Sequence, residues 1–184
     1  MANASLPVIR HGTRLRHYTG YSLALLAALA GWRALDRAAH EHLFLINRSP
    51  SLPNWAYVVE RSRLPERGTV SFFMPPRSAL VQAHFGTVPA AFGKIAYGLP
   101  GDRVLRVGAD VFVQAAGTNL PRKVGTLKPS TARGEALAAG PTGEIPPGCY
   151  YMGSPHKDGF DSRYKAIGFV CTNQLIGVAS AVLL

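Results

Sequence analysis

The sequence has few cysteines, no internal repeat and no low-complexity tract. Its 184 residues are long enough to bury a substantial core without many disulfides or structural metals. The only two cysteines, Cys149 and Cys171, form either one disulfide, if the domain is exported, or two buried thiols. We therefore expect one folded domain with an N-terminal appendage.

Acidic residues are also scarce. Lysine and arginine number 20 against 10 aspartates and glutamates, which gives a formal net charge of +10. A surplus of this size is compatible with anionic lipid or an acidic partner. The positive charges are scattered and form no block of five or six, so we expect no dedicated tail for nucleic acid and no direct nucleic-acid binding.

A long hydrophobic run is missing too. The uncharged stretch over residues 18–32 covers 15 positions, fewer than the roughly 20 that a membrane-spanning helix needs. Arg10, Arg14 and Arg16 precede it, and the positive-inside rule would then keep the N-terminus in the cytoplasm. We expect an uncleaved membrane-anchor helix whose helical pattern continues through residues 33–47. A removable signal or a buried helix are the alternatives.

From residue 55 onward the pattern changes to short apolar or alternating runs separated by glycine and proline. This pattern is typical of a mainly β domain with antiparallel sheets folded on one another. The predicted runs are AYVVE, TVSFFM, KIAYG, RVLRVG, DVFVQAAG, CYYMG, AIGFV and LIGVASAVLL. Residues 116–147 are polar and turn-rich and predict a loop excursion. Residues 166–184 predict a closing core strand. The expected domains are 1–46, the cytoplasmic N-terminus and anchor, and 47–184, the β-rich domain.

Two serines, Ser49 and Ser51, follow the predicted anchor in the stretch NRSPSLPNWAY. They are either ordinary loop formers or include a nucleophile, and a nucleophilic serine needs a nearby base. None of the six histidines lies in a recognisable triad setting. His40 and His42 do not face one another on a helix, so they predict no metal site. We expect no metal and no cofactor, which leaves a lysine as the candidate base.

Lys94 lies in an unusual setting for a lysine. No charged residue occurs between positions 87 and 101 apart from Lys94 itself. Burial of a lysine in apolar surroundings disfavours the ammonium form and lowers the pKa. The sequence therefore indicates a lysine that is able to act as a base. The alternative is a lysine that reaches solvent at a sheet edge.

Three motifs, in order along the chain, carry a family resemblance. They are SPSLP around Ser51, KIAYGLPGDRV from Lys94, and MGSPHKDGFDSRY, which ends at Tyr164. Together they resemble the Ser/Lys boxes of the type I signal peptidase superfamily, and more closely its conjugative-transfer branch, the TraF-like pilin-processing peptidases. RGTVSFFMPP also resembles that family's strand after the nucleophile, with Thr69 where aspartate is common. The resemblance covers roughly residues 47–180.

The resemblance implies a catalytic role for three residues. Ser51 would be the nucleophile and Lys94 the general base. Ser49 would assist the backbone N–H of Ser51 in the oxyanion hole, where donors commonly contribute a few kcal/mol each to lowering the barrier.

The resemblance also implies a supporting group and a turn. Asp161, Ser162 and Arg163 would form a charged or hydrogen-bonded brace under the active site, the alternative being a surface ion pair. Gly98, Gly101 and Asp102 are interpreted as the turn that ends the lysine strand.

One departure from the family concerns the lysine. The serine that orients the lysine in those enzymes, two residues before the aspartate, is Gly159 here. Ser162 or a backbone carbonyl is then the candidate to hold the Lys94 amine. A second departure is Trp55, which replaces a glycine and bears on the shape of the pocket.

The resemblance implies a membrane-anchored serine endopeptidase of the bacterial inner membrane with its catalytic domain in the periplasm. It would process a pilin or another exported, signal-peptide-bearing precursor near the lipid surface, with hydrolysis or peptide cyclisation as the outcome. Other conjugation or secretion components are possible partners. The alternatives are a general type I signal peptidase, a LexA-like self-cleaving switch, and a membrane-anchored assembly protein with a decayed site.

Overall fold

The computed structural model describes residues 12–47, 49 and 51–183. It separates the chain into two units at the junction between Glu41 and His42. The first unit contains one long helix, and the second contains the sheets. The expected cytoplasmic segment, with Arg10, lies largely outside the described residues.

The N-terminal helix α1 runs over Gly12–Glu41. We expected helix through residue 47, and this was wrong for the last residues, because His42–Ile46 forms strand β1. The reason is packing, since Leu43 and Leu45 alternate along β1 and contact a hydrophobic cluster of the β unit. Among the described residues, no helix is long and apolar enough to cross a membrane.

A large antiparallel sheet forms most of the second unit. Besides β1, its strands are β2 (Ala56–Glu60), β3 (Val70–Phe73), β4 (Phe92–Gly98), β9 (Cys149–Gly153), β10 (Val170–Cys171) and β11 (Leu175–Val182). Within the described part of the chain their order across the sheet is β1-β2-β11-β3-β4-β9-β10. The last strand, β11, lies between β2 and β3, which confirms the predicted closing core strand. The predicted AIGFV strand is limited to its last residue, Val170.

A smaller antiparallel sheet is built from the middle of the chain. Its strands are β5 (Arg103–Val107), β6 (Asp110–Gln114), β7 (Pro121–Thr126) and β8 (Gly143–Glu144), in the order β7-β6-β5-β8. The predicted loop over residues 116–147 was therefore only partly correct. Strands β7 and β8 arise there because the edges of the β5–β6 hairpin offer backbone groups that need partners.

The sequence analysis also missed a short helix. Helix α2 spans Ala79–Phe85, and the Ser78 side chain accepts a hydrogen bond from the Val81 backbone N–H at its start. Gly86 ends the helix with a φ of 84°. The Val81 side chain is fully buried in the core cluster that also contains Phe73 and Met152. This contact fixes α2 against the large sheet.

Cys149 and Cys171 form a disulfide. The two residues are direct partners in the β9–β10 pairing. The disulfide therefore links β10, at one edge of the large sheet, to its neighbour β9. Of the two alternatives for the cysteines, the structure has the disulfide.

The Gly-Leu-Pro-Gly-Asp motif is the turn that follows β4. Gly101 has a φ of 84°, and the Asp102 N–H donates to the Leu99 carbonyl, as in a turn with proline and glycine at its two central positions. The buried Asp102 carboxylate accepts hydrogen bonds from the backbone N–H groups of Leu99 and Ala116 and from the Arg67 guanidinium. One side chain thus links the start of β3, the end of β4 and the end of β6.

The Asp102→Ala substitution should lower the free energy of unfolding by about 2–4 kcal/mol, because it leaves two backbone amides and a guanidinium without their acceptor. Denaturant unfolding of purified protein measures this. Asp110→Ala is the matched control: that carboxylate lies on β6 but is more exposed and pairs with Lys123, so its loss should cost under about 1 kcal/mol. Equal losses in the two variants would contradict this role for Asp102.

Candidate active site

The loop between β1 and β2 carries Ser49 and Ser51, and Asn47 holds it in place. The Asn47 Nδ2 donates to the backbone carbonyls of Ser49 and Asn54 at 2.8 and 3.1 Å. Its Oδ1 accepts from the Ser49 N–H at 3.2 Å and from the Ser49 hydroxyl at 3.1 Å. Asparagine side chains often hydrogen-bond to backbone groups of the following residues and so stabilise a turn. Asn47 therefore fixes the shape of the serine loop.

The two serine hydroxyls are hydrogen-bonded to each other. Ser49 Oγ and Ser51 Oγ are 2.7 Å apart. Ser51 is buried, with 8% of its surface exposed, whereas Ser49 is exposed. A hydroxyl has a single proton, so Ser49 donates either to Asn47 or to Ser51. When Ser49 donates to Ser51, the Ser51 proton is free to point elsewhere.

Ser154 fixes the backbone of Ser51 from the opposite side. The Ser154 hydroxyl donates to the Ser51 carbonyl at 2.7 Å and accepts from the His156 N–H at 3.2 Å. Ser154 is buried and follows directly on β9. The candidate nucleophile is thereby held between a loop asparagine and a residue 103 positions further along the chain.

Lys94 lies on β4, in the middle of the large sheet. Its side chain is 5% exposed, and the amine lies 6.0 Å from the centre of the Phe92 ring. The alternative of a lysine that reaches solvent at a sheet edge was wrong, since β3 and β9 flank β4 on its two sides. Within the described residues, the amine has no hydrogen-bond partner in the protein.

Burial lowers the pKa of Lys94 from 10.5 to about 8. Desolvation of the ammonium is the largest cause. The Asp161 carboxylate opposes it by favouring the charged form, and the Arg163 guanidinium adds to it. At this pKa about half of the molecules carry an uncharged amine at pH 8.

Ser49, Ser51 and Lys94 line one cavity of about 660 Å³. Most of its wall is apolar, with Phe72, Phe85, Phe92 and Phe160 among the lining side chains, and it also contains His84, His156 and Asp158. The β4 backbone comes close to the serine loop here: a Cβ at Gly93 would lie 2.9 Å from Leu52 Cδ1. The structure shows no direct hydrogen bond between Ser51 Oγ and Lys94 Nζ, and in enzymes without substrate such bonds are often long.

Asp161 and Arg163 form a buried ion pair, so the alternative of a surface pair was wrong. Arg163 Nε donates to Asp161 Oδ1 at 2.9 Å and Nη2 to Oδ2 at 2.8 Å, a two-pronged geometry that strengthens the pair. The carboxylate also accepts from the Ser154 backbone N–H at 3.0 Å. The two residues are 0% and 3% exposed. They form a brace directly behind Ser154.

Ser162 is hydrogen-bonded to Met152 and forms no hydrogen bond with Lys94. Its hydroxyl accepts from the Met152 backbone N–H at 3.0 Å, and its own N–H donates to the Met152 carbonyl. Ser162 therefore ties its loop to β9, and the expectation that it is a candidate to hold the lysine amine has no support in these contacts.

Packing around Arg163 explains the glycine at position 159, where the resemblance implies a serine. A Cβ at Gly159 would lie 2.5 Å from Arg163 Nη2 and 2.9 Å from Ser154 Cβ. The guanidinium and Ser154 thus occupy the space that a side chain at 159 would need. The guanidinium is also held in place by a hydrogen bond, because it donates to the Gly159 carbonyl at 2.9 Å. It therefore cannot move aside easily for a side chain at position 159.

Sequence reasoning missed Asn47 and Ser154. Asn47 precedes the serine motif by only two residues. Asparagine side chains often hydrogen-bond to nearby backbone groups in turns, so the residue type could have indicated this role. Ser154 carried no such signal, since its contact with Ser51 bridges 103 positions. Among the described residues, no group of histidine, cysteine, aspartate and glutamate is arranged to hold a metal ion.

The Lys94→Met substitution should stabilise the fold at neutral pH. The pKa of the amine is about 8 in the folded chain and 10.5 in the unfolded chain. The free energy of unfolding therefore rises with pH between about 8 and 10.5, and the full cost of burying the ammonium applies at pH 7. At about 1.4 kcal/mol per pKa unit, replacing the amine by a thioether of similar length should raise the free energy of unfolding at pH 7 by about 1–3 kcal/mol.

Urea unfolding at pH 7 and at pH 10 measures this gain, which should shrink at the higher pH. Lys165→Met replaces an exposed lysine and should change stability by under about 0.5 kcal/mol at both values. A Lys94→Met protein that is less stable than wild type at pH 7 would contradict the burial penalty.

Comparison with known proteins agrees with the geometry. A family model described as "Signal peptidase, peptidase S26" matches residues 20–184. Comparison with curated proteins gives no match. The mainly β fold of antiparallel sheets is consistent with that family, whose members are serine peptidases of the signal peptidase type. The chain belongs to the signal peptidase family, peptidase S26.

Proposed function

We propose that this protein is a membrane-associated serine endopeptidase that uses Ser51 as nucleophile and Lys94 as general base. The observation that carries the proposal is the shared cavity: a buried lysine with a pKa lowered to about 8 and a hydrogen-bonded pair of serines line it together. A serine nucleophile requires a base in its unprotonated form, and burial supplies it here.

Acylation follows from this arrangement. Ser51 Oγ attacks the carbonyl carbon of the scissile peptide, and its proton passes to the neutral Lys94 amine as the new C–O bond forms. The carbonyl electron pair moves onto oxygen, where the Ser51 N–H and the Ser49 hydroxyl stabilise the negative charge. The Lys94 ammonium then gives its proton to the leaving nitrogen as the C–N bond breaks.

Release of the acyl group reverses these steps. Neutral Lys94 takes a proton from water, the resulting oxygen nucleophile attacks the ester, and Ser51 Oγ leaves and recovers the proton from Lys94. In a cyclisation, the amino group at the substrate's own N-terminus takes the place of water. Both outcomes use the same two residues.

Asp161, Ser162 and Arg163 act as supporting residues in this proposal. The Asp161 carboxylate accepts a hydrogen bond from the Ser154 backbone N–H, and the Ser154 hydroxyl donates to the Ser51 carbonyl. Asp161 also acts electrostatically on Lys94 and raises its pKa, while Arg163 lowers it. The pair thereby fixes both the position of the nucleophile and the charge of the base.

We further propose that the substrate is a signal-peptide-bearing precursor, and specifically a pilin in a conjugative-transfer system. The finer part rests on the likeness of GLPGD and FDSRY to the TraF-like branch. The location that we propose is the outer face of the bacterial inner membrane, with residues 18–32 as the anchor. The Cys149–Cys171 disulfide supports an oxidising compartment.

A general type I signal peptidase remains the second candidate, because the family match alone fits it equally well. A decayed site is disfavoured because Ser51 and Lys94 line the same cavity and Ser154 holds the Ser51 carbonyl.

Ser51→Ala and Lys94→Met should each reduce cleavage of a pilin precursor by at least about 1,000-fold while the protein stays folded, since each removes a group that takes part in the chemistry. The measurement is intact mass of the co-expressed precursor. A cyclic product weighs one water less than the hydrolysed one, so the same spectrum separates the two outcomes.

Ser180→Ala is the control, because Ser180 is exposed on β11 and its hydroxyl donates only to the Val58 carbonyl at 3.3 Å. It should cleave at the wild-type rate. Cleavage that persists in Ser51→Ala or Lys94→Met would contradict the assignment of the dyad, whereas cleavage of general signal-peptide precursors but not of pilin would contradict only the finer proposal.

A further inference from the structure

Ser71, on β3, has a buried hydroxyl without a hydrogen-bond partner. The residue is completely inaccessible, and its Oγ contacts no donor or acceptor within the described residues. Buried hydroxyls are paired in most proteins, and leaving one unpaired costs about 1–3 kcal/mol. This exception in the strand next to Lys94 therefore needs a physical reason.

The pairing of β3 with β4 places Ser71 directly opposite Lys94. Directly opposite residues in antiparallel strands point to the same face of the sheet, with their Cβ atoms about 4.5–5.5 Å apart. The core confirms the face: Phe73 and Ala96, each two residues further along its strand, belong to one hydrophobic cluster. Ser71 and Lys94 thus share that face.

Other hydroxyls near the lysine already have partners. Ser162 Oγ accepts from Met152, and Ser154 Oγ donates to the Ser51 carbonyl. Gly159 supplies no hydroxyl at all. Ser71 is the buried serine on this face whose hydrogen-bonding capacity is unused, and Lys94 is the buried amine opposite it.

We propose that Ser71 is the positioning residue for the Lys94 amine. Its Oγ accepts one N–H of the amine when the lysine side chain turns toward Ser51, so that the nitrogen lone pair faces the Ser51 hydroxyl. The inference rests on the proposed Ser51 and Lys94 chemistry. The structure shows Ser71 and Lys94 as direct partners across β3 and β4, with no hydrogen bond to Ser71 Oγ. In this proposal the hydrogen bond forms on the way to reaction.

This role has a specific effect on protonation. A hydroxyl oxygen that accepts from the amine also stabilises the ammonium form. Loss of Ser71 Oγ should therefore lower the pH at which Lys94 becomes active, as well as slow the reaction. Loss of a residue that only fills space would not both slow the reaction and lower its pH midpoint.

Several other charged groups act near Lys94, and they stay unchanged in a Ser71 variant. Asp161 and Arg163 act on it electrostatically. The remaining titratable groups that line the same cavity are His84, His156 and Asp158. A shift of the pH midpoint that is caused by Ser71 is therefore measured against a constant background.

The test compares acylation of the full-length wild type with that of Ser71→Ala and Ser71→Thr. The probe is an activated thioester of a short apolar peptide, and intact mass follows the acyl-enzyme from pH 6 to pH 10. Ser71→Ala should slow acylation by about 10- to 100-fold, a part of the effect of a general base. Its half-saturating probe concentration should stay unchanged, and its pH midpoint should fall below the wild-type value near 8. Its free energy of unfolding should be no lower than that of the wild type, because the substitution removes a hydroxyl that is buried without a partner.

Ser71→Thr keeps the hydroxyl and should recover most of the rate and the wild-type midpoint. Tyr151→Phe is the control, because it removes another buried, unpartnered hydroxyl on a face away from the cavity lining. It should match wild type in both rate and midpoint.

The following outcomes would overturn the inference: wild-type rate and midpoint in Ser71→Ala, a Ser71→Thr as slow as Ser71→Ala, or a slower Ser71→Ala that is also unfolded or has an unmoved midpoint. Failure of the proposed function looks different. In that case the wild type itself forms no acyl-enzyme, as Ser51→Ala should not, and the Ser71 inference fails with it.

Discussion

Removal of one amine from water is the constraint on which the site depends. Lys94 lies on β4, which β3 and β9 flank on its two sides. Only 5% of the residue's surface is exposed, and its amine has no hydrogen-bond partner among the described residues. Desolvation disfavours its ammonium form, and the strand pairings on both sides of β4 keep the lysine buried despite this cost. The fold thus lowers the pKa of the proposed base to about 8.

The proposed nucleophile, Ser51, is held by a different set of contacts. Arg163 and Asp161 form a rigid pair behind Ser154, and Ser154 holds the Ser51 carbonyl. The pair lies close enough to act on the lysine charge as well. The buried ion pair therefore acts both on the position of Ser51, through hydrogen bonds, and on the charge of Lys94, through its electric field. A side chain at position 159 would displace the Arg163 guanidinium, so Gly159 must stay small.

The sequence predicted the mainly β fold, most strands of the large sheet and the burial of Lys94, because these follow from alternating patterns and from local charge. It did not predict β1, α2, β7 or β8. β1 continues an apparently helical pattern, and its strand form depends on pairing with β2. The contacts of Ser154 and Ser71 were equally out of reach, since each depends on residues far away along the chain, and no local pattern encodes the register between strands.

The most direct test of the account is an NMR titration of the Lys94 amine in the folded wild-type protein. Lysines labelled with ¹³C at Cε report protonation, and the Lys94 signal is the one that is absent from Lys94→Met. The account predicts a midpoint of about 8, at which unprotonated amine is available for Ser51. A midpoint at about 10.4, the value of a lysine in water, would show that the amine is not desolvated and would contradict the proposed base.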